Sequence, residues 1–216
     1  MKKFRASFTV LSQWANGRWE EAIKSYYHLE RVETPQMKLG KELHKQWADE
    51  VRRTGKLPKV FGGEPITPIF IEEYFRVDVN EWLQLSFVAD LVIEENGGTV
   101  IDYKTSSSKT SGEMIDTYQL PMYEIGLMLV GVLTRMGKIL HYDPITKQVD
   151  QSMVWFSDNL RKETLEWIIT NASEMHDYIQ KNNLDQLFVS SKGRVGFAGG
   201  EPYPLLRGRG DGKEEN

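Results

Sequence analysis

Residues 87–123 read FVADLVIEENGGTVIDYKTSSSKTSGEMIDTYQLPMY, and this stretch decides the fold that the sequence predicts. The segments 86–94 and 99–104 are rich in β-branched and aromatic residues, which is typical of strands. Between them, residues 96–98 (Asn-Gly-Gly) supply the positive backbone angles of a tight turn. The stretch therefore predicts an antiparallel hairpin followed by a polar loop and a helix.

The register of this hairpin determines which polar side chains meet. A three-residue turn places Ile93 opposite Ile101 and Asp90 opposite Lys104. Side chains alternate along a strand, so Asp102 and Lys104 share one face and lie roughly 7 Å apart. In this register Asp90 faces the same way. A slip by one residue would scatter the three groups.

Two carboxylates on neighbouring strands offer the oxygen ligands that Mg²⁺ or Mn²⁺ prefers. The candidate ligands are Asp90, Asp102 and the backbone carbonyl of Tyr103. Lys104 can orient an attacking water and stabilise charge in the transition state. The alternative is a surface hairpin in which Asp102 and Lys104 form an ordinary exposed ion pair.

The helix after the polar loop carries Gln119 and Tyr123 one turn apart, so both lie on one face. Because proline disfavours a helix interior, this helix begins near Thr117 or kinks at 120–121. The alternative interpretation of the pair is a buried amide and a core aromatic. In the loop, Lys109 and the hydroxyls can hold phosphates, or the loop is a plain connection.

A fourth candidate ligand lies upstream, on a helix predicted from Pro35 to Arg53. Its sequence contains Gly40-Lys-Glu-Leu-His44, in which the glycine permits close packing. A neutral imidazole at His44 would suit Mn²⁺ better than Mg²⁺. The alternative is a half-buried histidine that is hydrogen-bonded to backbone.

These motifs, in this order, resemble the PD-(D/E)XK nucleases, and among them the RecB-like exonucleases with their GxxxH and QxxxY motifs. The resemblance spans residues 37–130. It implies that His44 is a metal ligand, that Gln119 lies by the metal and that Tyr123 contacts substrate. At the second acidic position of the motif the family more often has glutamate. Asp102 keeps the negative charge, but its shorter side chain reaches less far. The sequence has no cysteine, which excludes the iron–sulfur cluster of some members.

Composition sets further bounds on the function. The chain has 216 residues, 40% of them hydrophobic, and a net charge of −4, which argues against wholesale electrostatic attraction to nucleic acid. We expect one nuclease domain over 1–200 and a polar, flexible tail over 201–216. We find no signal peptide, membrane span or ATP-binding loop, so we expect a cytoplasmic protein, or one in the host cytoplasm if it is viral.

These patterns predict an α/β fold with a central mixed β-sheet flanked by helices, and the resemblance implies that this fold is a restriction-endonuclease-like core. The remaining predicted elements are a helix over 8–29, strands over 69–79, 82–94, 138–142 and 148–156, a long helix from 158, and irregular chain after 183.

The function expected from the resemblance is metal-dependent hydrolysis of DNA, most simply as an exonuclease in DNA processing, repair or recombination. Lys104, Asp90, Asp102 and Gln119 are the expected catalytic residues, and Tyr123, Gln119 and Lys109 the expected DNA contacts. The alternatives are a structure- or site-specific endonuclease on the same fold and a non-catalytic DNA-binding subunit. DNA is the expected partner, with a separate helicase or recombinase as a further one; the sequence leaves the oligomeric state open.

Overall fold

The computed structural model describes residues 3–29, 33–115 and 117–189. The strands are β1 (Phe4–Ala6), β2 (Pro68–Asp78), β3 (Leu83–Ile93), β4 (Thr99–Thr105), β5 (Met136–Tyr142) and β6 (Val149–Trp155). The helices are α1 (Phe8–Ala15), α2 (Trp19–Tyr26), α3 (Pro35–Thr54), α4 (Ser111–Ile115), α5 (Gln119–Leu129), α6 (Asp158–Lys181) and α7 (Leu184–Val189). Short 3₁₀ turns lie at Lys59–Phe61 and Glu95–Gly97.

The strands form one six-stranded mixed sheet in the order β1-β3-β4-β5-β6, with β2 paired to β3. β2, β3 and β4 run antiparallel in succession, β4 and β5 are parallel, and β5 and β6 form an antiparallel hairpin. Helices α3 and α5 both contact β2, β3 and β4. This confirms the predicted α/β class and the central mixed sheet flanked by helices.

The chain groups into two compact units. The first comprises Met1–Phe8 and Arg31–Ile168 and contains the whole sheet, while the second comprises Thr9–Glu30 and Ile169–Asn216. In the second unit, Trp14 is buried and its ring lies 5.4 Å from that of Tyr178. The expected domain boundary stays a prediction, and the expected tail over 201–216 lies outside the described residues.

The central hairpin forms as predicted, but its register differs by two residues. Ile93 pairs with Thr99 and Leu91 with Ile101, instead of Ile93 with Ile101. The cause is the turn, where five residues separate the paired positions and Asn96 and the two following glycines all have positive φ. A shift of two residues preserves the alternation of faces. The carboxylates of the hairpin therefore still lie on one side.

Helix α3 is defined at both ends by its own sequence. Thr34 caps the N-terminus by accepting a hydrogen bond from the Met37 amide, and Pro35 occupies the first turn, where it loses no helical bond. Gly55 ends the helix in the left-handed conformation. Trp47 and Val51 are buried among residues of β3 and β4, which fixes the side of the helix that faces the sheet.

Helix α5 begins at Gln119, close to the predicted start near Thr117, so proline at 121 falls in the first turn. Nearly all of its residues are buried. Gly126 lets the ring of Phe87 lie against the helix, since a Cβ at this glycine would come within 2.2 Å of that ring. Phe87 in turn stacks on Tyr123, with ring centroids 4.9 Å apart. These contacts hold the helix at a defined height above the sheet.

Two expectations for the flanking segments are wrong, and one strand was not expected. The helix expected over 8–29 is broken at Gly17, whose φ of +71° separates α1 from α2. Directly after residue 183, where irregular chain was expected, residues Leu184–Val189 form the short helix α7. Strand β1 has no counterpart in the sequence expectation, because a three-residue parallel pairing leaves no local pattern. None of the helices in the described ranges combines the length and apolar character that crossing a membrane requires.

Candidate active site

The polar centre of the first unit is Asp102, which lies in the middle of β4 and is only 4% exposed. Its Oδ2 atom lies 2.6 Å from Nζ of Lys104, two residues along the same strand. Its Oδ1 atom accepts a hydrogen bond of 3.0 Å from the side-chain amide of Gln119. The carboxylate is thus held by one group from the strand and one from α5.

Gln119 connects the groups that the sequence placed in the site. Its Oε1 accepts from Nζ of Lys104 at 2.9 Å, and its Nε2 also donates to the hydroxyl of Tyr123 at 2.8 Å. The expectation that Gln119 and Tyr123 share one helix face is confirmed. The alternative of a buried amide and a core aromatic is correct in part, since Tyr123 is buried, yet both side chains bond within the polar network.

Asp90 approaches the same centre from β3. Its Oδ2 accepts a hydrogen bond of 2.8 Å from the backbone amide of Tyr103, the residue next to Asp102. Nδ1 of His44 lies 3.5 Å from the same oxygen. The structure therefore brings together His44 from α3 and both aspartates from the hairpin.

Gly40 explains how α3 comes so close to the end of β4. A Cβ at this position would lie 2.9 Å from Oγ1 of Thr105. One turn later the helix presents His44, whose ring lies 6.0 Å from that of Tyr103. The glycine and the histidine of the GxxxH segment thus have linked roles, because close approach at the first lets the second reach Asp90.

Burial raises the pKa of Asp102 to about 6; the positive charge of Lys104 opposes this shift and the negative charge of Asp90 adds to it. Burial lowers the pKa of His44, but the hydrogen bond to Asp90 and the two nearby carboxylates outweigh it, so the net pKa is raised. Burial and the charge of Asp102 raise the pKa of Tyr123, which keeps its phenol protonated. These shifts describe a centre that is rich in negative charge.

The side chains that meet here are of the chemical types that coordinate a divalent cation. Two carboxylates and an imidazole converge, and Oδ2 of Asp102 is buried without a well-directed hydrogen bond despite its short contact to Lys104. Across residues 3–29, 33–115 and 117–189, however, no three His, Asp or Glu side chains already form a ready coordination group. In this structure the side chains of His44 and Asp102 pair with Asp90 and Lys104.

Lys109 lies apart from this network. It is exposed in the loop after β4, and residues 107–110 around it are exposed as well. Tyr103 points its ring into the core, where it is 1% exposed, so only its backbone carbonyl remains a candidate ligand.

Two buried polar groups near the site escaped the sequence analysis. Glu124, next to Tyr123, is 2% exposed and accepts a hydrogen bond of 2.8 Å from Nε of Arg161. A single acid within the apolar run of α5 was a signal for such a pair. The second group is His141, which is buried and contacts Asp150 and the carbonyl of Ser106. The pairing of His141 with Asp150 follows from the predicted hairpin over 138–156.

A family model describing the PD-(D/E)XK nuclease superfamily matches residues 2–184. This covers most of the chain and includes every residue of the polar network.

The fold is also similar to solved structures of low sequence identity. The structure of LHK-Exo, an alkaline exonuclease of Laribacter hongkongensis, in complex with dAMP is 12% identical, with a TM-score of 0.54 over 86% of this chain and 93% of that chain. A candidate exonuclease of Eubacterium rectale is 13% identical, with a TM-score of 0.54 over 83% of this chain and 82% of that chain. At these identities the likeness concerns the fold. No curated protein sequence matches the chain significantly.

Proposed function

Because the chain belongs to the PD-(D/E)XK nuclease superfamily, we propose that it is a metal-dependent deoxyribonuclease that removes nucleotides from DNA ends. The observation that carries the proposal is the network around Asp102, in which a buried carboxylate, the ammonium of Lys104 and the amide of Gln119 bond to one another. A structural ion pair has no need of a bridging amide or of a second carboxylate beside it.

His44, Asp90, Asp102 and the backbone carbonyl of Tyr103 would hold Mg²⁺ or Mn²⁺. The ion supplies a Lewis acid that activates water and offsets charge on the scissile phosphate. The excess of carboxylate over ammonium in the site favours a bound cation, because the two acids repel each other without one.

The chain's own groups place the reactants. Lys104 directs its ammonium toward the attacking water and stabilises the charge that builds on the phosphate. Gln119 fixes both Lys104 and Asp102, so neither side chain has to be ordered when DNA binds. Tyr123 accepts from Gln119 and retains its own proton for a substrate oxygen. Lys109 contacts a neighbouring phosphate from the exposed loop.

We assign the chain to the RecB-like branch on the GxxxH and QxxxY motifs. The close packing at Gly40 and the bond between Gln119 and Tyr123 give both motifs a physical role here. The exonuclease names of the two similar folds support the proposed exonuclease activity rather than the branch. A separate helicase or recombinase would supply the DNA ends, and the cytoplasm, or the host cytoplasm for a viral protein, remains the expected compartment.

The test is a cleavage assay on end-labelled linear DNA, single- and double-stranded, and on closed circular DNA, with Mn²⁺ or with a chelator. We expect the linear DNA to lose nucleotides from its ends only when Mn²⁺ is present, and the closed circular DNA to remain uncut. Cutting of the circle would indicate the endonuclease alternative. Lys104→Ala should abolish cleavage, whereas Lys162→Ala, which removes an exposed lysine on α6, should not. No cleavage by the wild-type protein on any substrate would overturn the proposal and favour a non-catalytic DNA-binding subunit.

A further inference from the structure

His141 and Asp150 face each other across the β5–β6 hairpin. The ring of His141 is 5% exposed, and each of its nitrogens contacts an oxygen. Nδ1 contacts Oδ1 of Asp150, and Nε2 contacts the backbone carbonyl of Ser106 at 2.8 Å. The imidazole is therefore held between a carboxylate on one side and a backbone carbonyl on the other.

The second carboxylate oxygen of Asp150 continues the connection. Oδ2 accepts a hydrogen bond of 2.8 Å from the backbone amide of Ser111, and the hydroxyl of Ser111 lies 2.8 Å from that of Ser152 on β6. An unbroken series of hydrogen bonds therefore runs from the carbonyl of Ser106 through His141 and Asp150 to the amide of Ser111. It joins the two ends of the loop 106–111.

The segment between these ends begins two residues after Lys104 and exposes small polar groups. Ser107, Ser108 and Lys109 are open to solvent, while three hydrogen bonds join Thr110 to Glu113. Hydroxyls, backbone amides and an ammonium are the donors that contact nucleic-acid phosphates. Fixing the ends of such a loop lowers the entropy that is lost when it binds.

We propose that His141 and Asp150 are positioning residues that close the loop 106–111 into a phosphate-binding segment beside the active site. This inference rests on the proposed nuclease function. The segment holds the DNA backbone next to the nucleotide that is cut, and its ligand is a phosphodiester of the substrate strand. His141 and Asp150 act through the loop and touch neither the DNA nor the reacting atoms.

The sign of one substitution separates this role from simple electrostatics. Asp150→Asn removes a negative charge near the DNA, which by charge alone strengthens binding. If Asp150 instead holds the loop, the same change weakens binding, because one oxygen acceptor of the series is lost. The side chain of Asp150 is 42% exposed, so we expect the variant to keep the fold, which circular dichroism checks.

The experiment measures binding of a fluorescein-labelled single strand and of its duplex in the Lys104→Ala background, which prevents cleavage. We expect Asp150→Asn and Lys109→Ala each to weaken binding about three- to tenfold, and the double variant to be no weaker than either alone, because both act on one contact. Both variants should make the plot of log binding constant against log salt concentration less steep, by roughly 0.7 to 0.9 in the magnitude of its negative slope. Lys162→Ala serves as the matched control and should change neither the affinity for DNA nor its dependence on salt.

In the wild-type background, Asp150→Asn should raise KM for DNA and leave kcat within about twofold. Unchanged or tighter binding by Asp150→Asn, or effects that add to those of Lys109→Ala, would overturn the inference. His141→Gln breaks the same series at its centre and should behave alike; if it fails to fold, Asp150→Asn decides the result alone. If the Lys104→Ala protein binds DNA and adding Asp150→Asn causes no loss of affinity, only the loop role is refuted. If the wild-type protein neither binds nor cuts DNA, the proposed function is refuted.

Discussion

Asp102 and Glu124 are both buried carboxylates that face one cation, yet their surroundings differ. Asp102 lies 2.6 Å from the ammonium of Lys104 on the same strand, and Asp90 adds a second acid beside it. Glu124 meets the guanidinium of Arg161 on another helix at 2.8 Å. The first group has more negative than positive charge, whereas the second is a matched pair inside the protein.

The comparison distinguishes a site from a structural contact. Arg161 also bonds Asp158, but that residue is 99% exposed and is screened by solvent. Burial raises the pKa of Glu124 and the hydrogen bond to Arg161 lowers it, with a net rise. Similar burial thus occurs in two settings: Asp102 lies beside a second acid, Asp90, in the proposed metal site, whereas Glu124 joins α5 to α6 through Arg161.

The largest expected difference between the two carboxylates is in activity. Asp102→Asn removes a proposed metal ligand and should lower kcat by about 10²- to 10⁴-fold, because metal and lysine lose their alignment. Glu124→Gln, the matched amide replacement at the structural pair, should leave kcat per folded molecule within about threefold. Steady-state cleavage of labelled DNA measures both, and equal losses for the two variants would contradict the comparison.

The expected order reverses for stability. Arg161→Ala leaves the carboxylate of Glu124 buried without its cation and should lower the free energy of unfolding by about 3 kcal/mol. Urea unfolding in a chelator measures this change, and Arg161→Lys, which keeps the charge, should lose less. A stability equal to that of wild type would show that the pair is not part of the packing of α5.

Gln119→Ala should produce an intermediate loss of activity, about 10- to 100-fold in kcat, with a smaller change in stability. It removes the amide that connects Asp102, Lys104 and Tyr123 but no proposed charge. Tyr123→Phe removes only the hydroxyl that accepts from this amide, so the same assay should show a smaller loss. A larger loss for Tyr123→Phe would place the phenol, not the amide, at the centre of the network.

The smallest expected effect is a pH-dependent gain in stability for Asp102→Asn without metal. Burial raises the pKa of Asp102 from 3.8 to about 6 in the folded protein, so the folded state disfavours the charged form. In the wild-type protein, the free-energy cost of keeping the Asp102 carboxylate charged in the folded state is absent below the pKa of the unfolded chain. This cost grows as the pH rises toward 6 and is complete above pH 6. The variant should therefore gain a few degrees in Tm over wild type at pH 7.5 relative to pH 4.5. An equal difference at both pH values would contradict the shift.

Much of the site was predictable because its parts lie on strong local patterns. The hairpin, the helix from Pro35 and the spacing of Gln119 and Tyr123 each follow from periodicity and turn residues. The exact register did not follow, since three successive residues with positive φ, Asn96 to Gly98, are compatible with turns of several lengths. The shift of two residues preserved the faces, so the grouping of Asp90 with Asp102 survived the error.

Contacts between segments that are far apart in the chain could not be predicted from the sequence. Arg161 lies 37 residues from Glu124, and nothing in either local pattern selects that partner. Strand β1 likewise pairs with β3 over a long separation, since Phe4 lies opposite Leu83, which comes 79 residues later in the chain. By contrast, the role of Gly40 was visible in outline as close packing, but the atom it makes room for, Oγ1 of Thr105, appears only in three dimensions.

The most direct test of the metal site is calorimetric titration of Mn²⁺ into the purified protein and into Asp102→Asn, Asp90→Asn and Glu124→Gln. We predict that wild type and Glu124→Gln bind the ion with the same stoichiometry, while both aspartate variants lose at least about tenfold in affinity. Mn²⁺ binding that is unchanged by either aspartate substitution would contradict the assignment of this charged centre as the metal site.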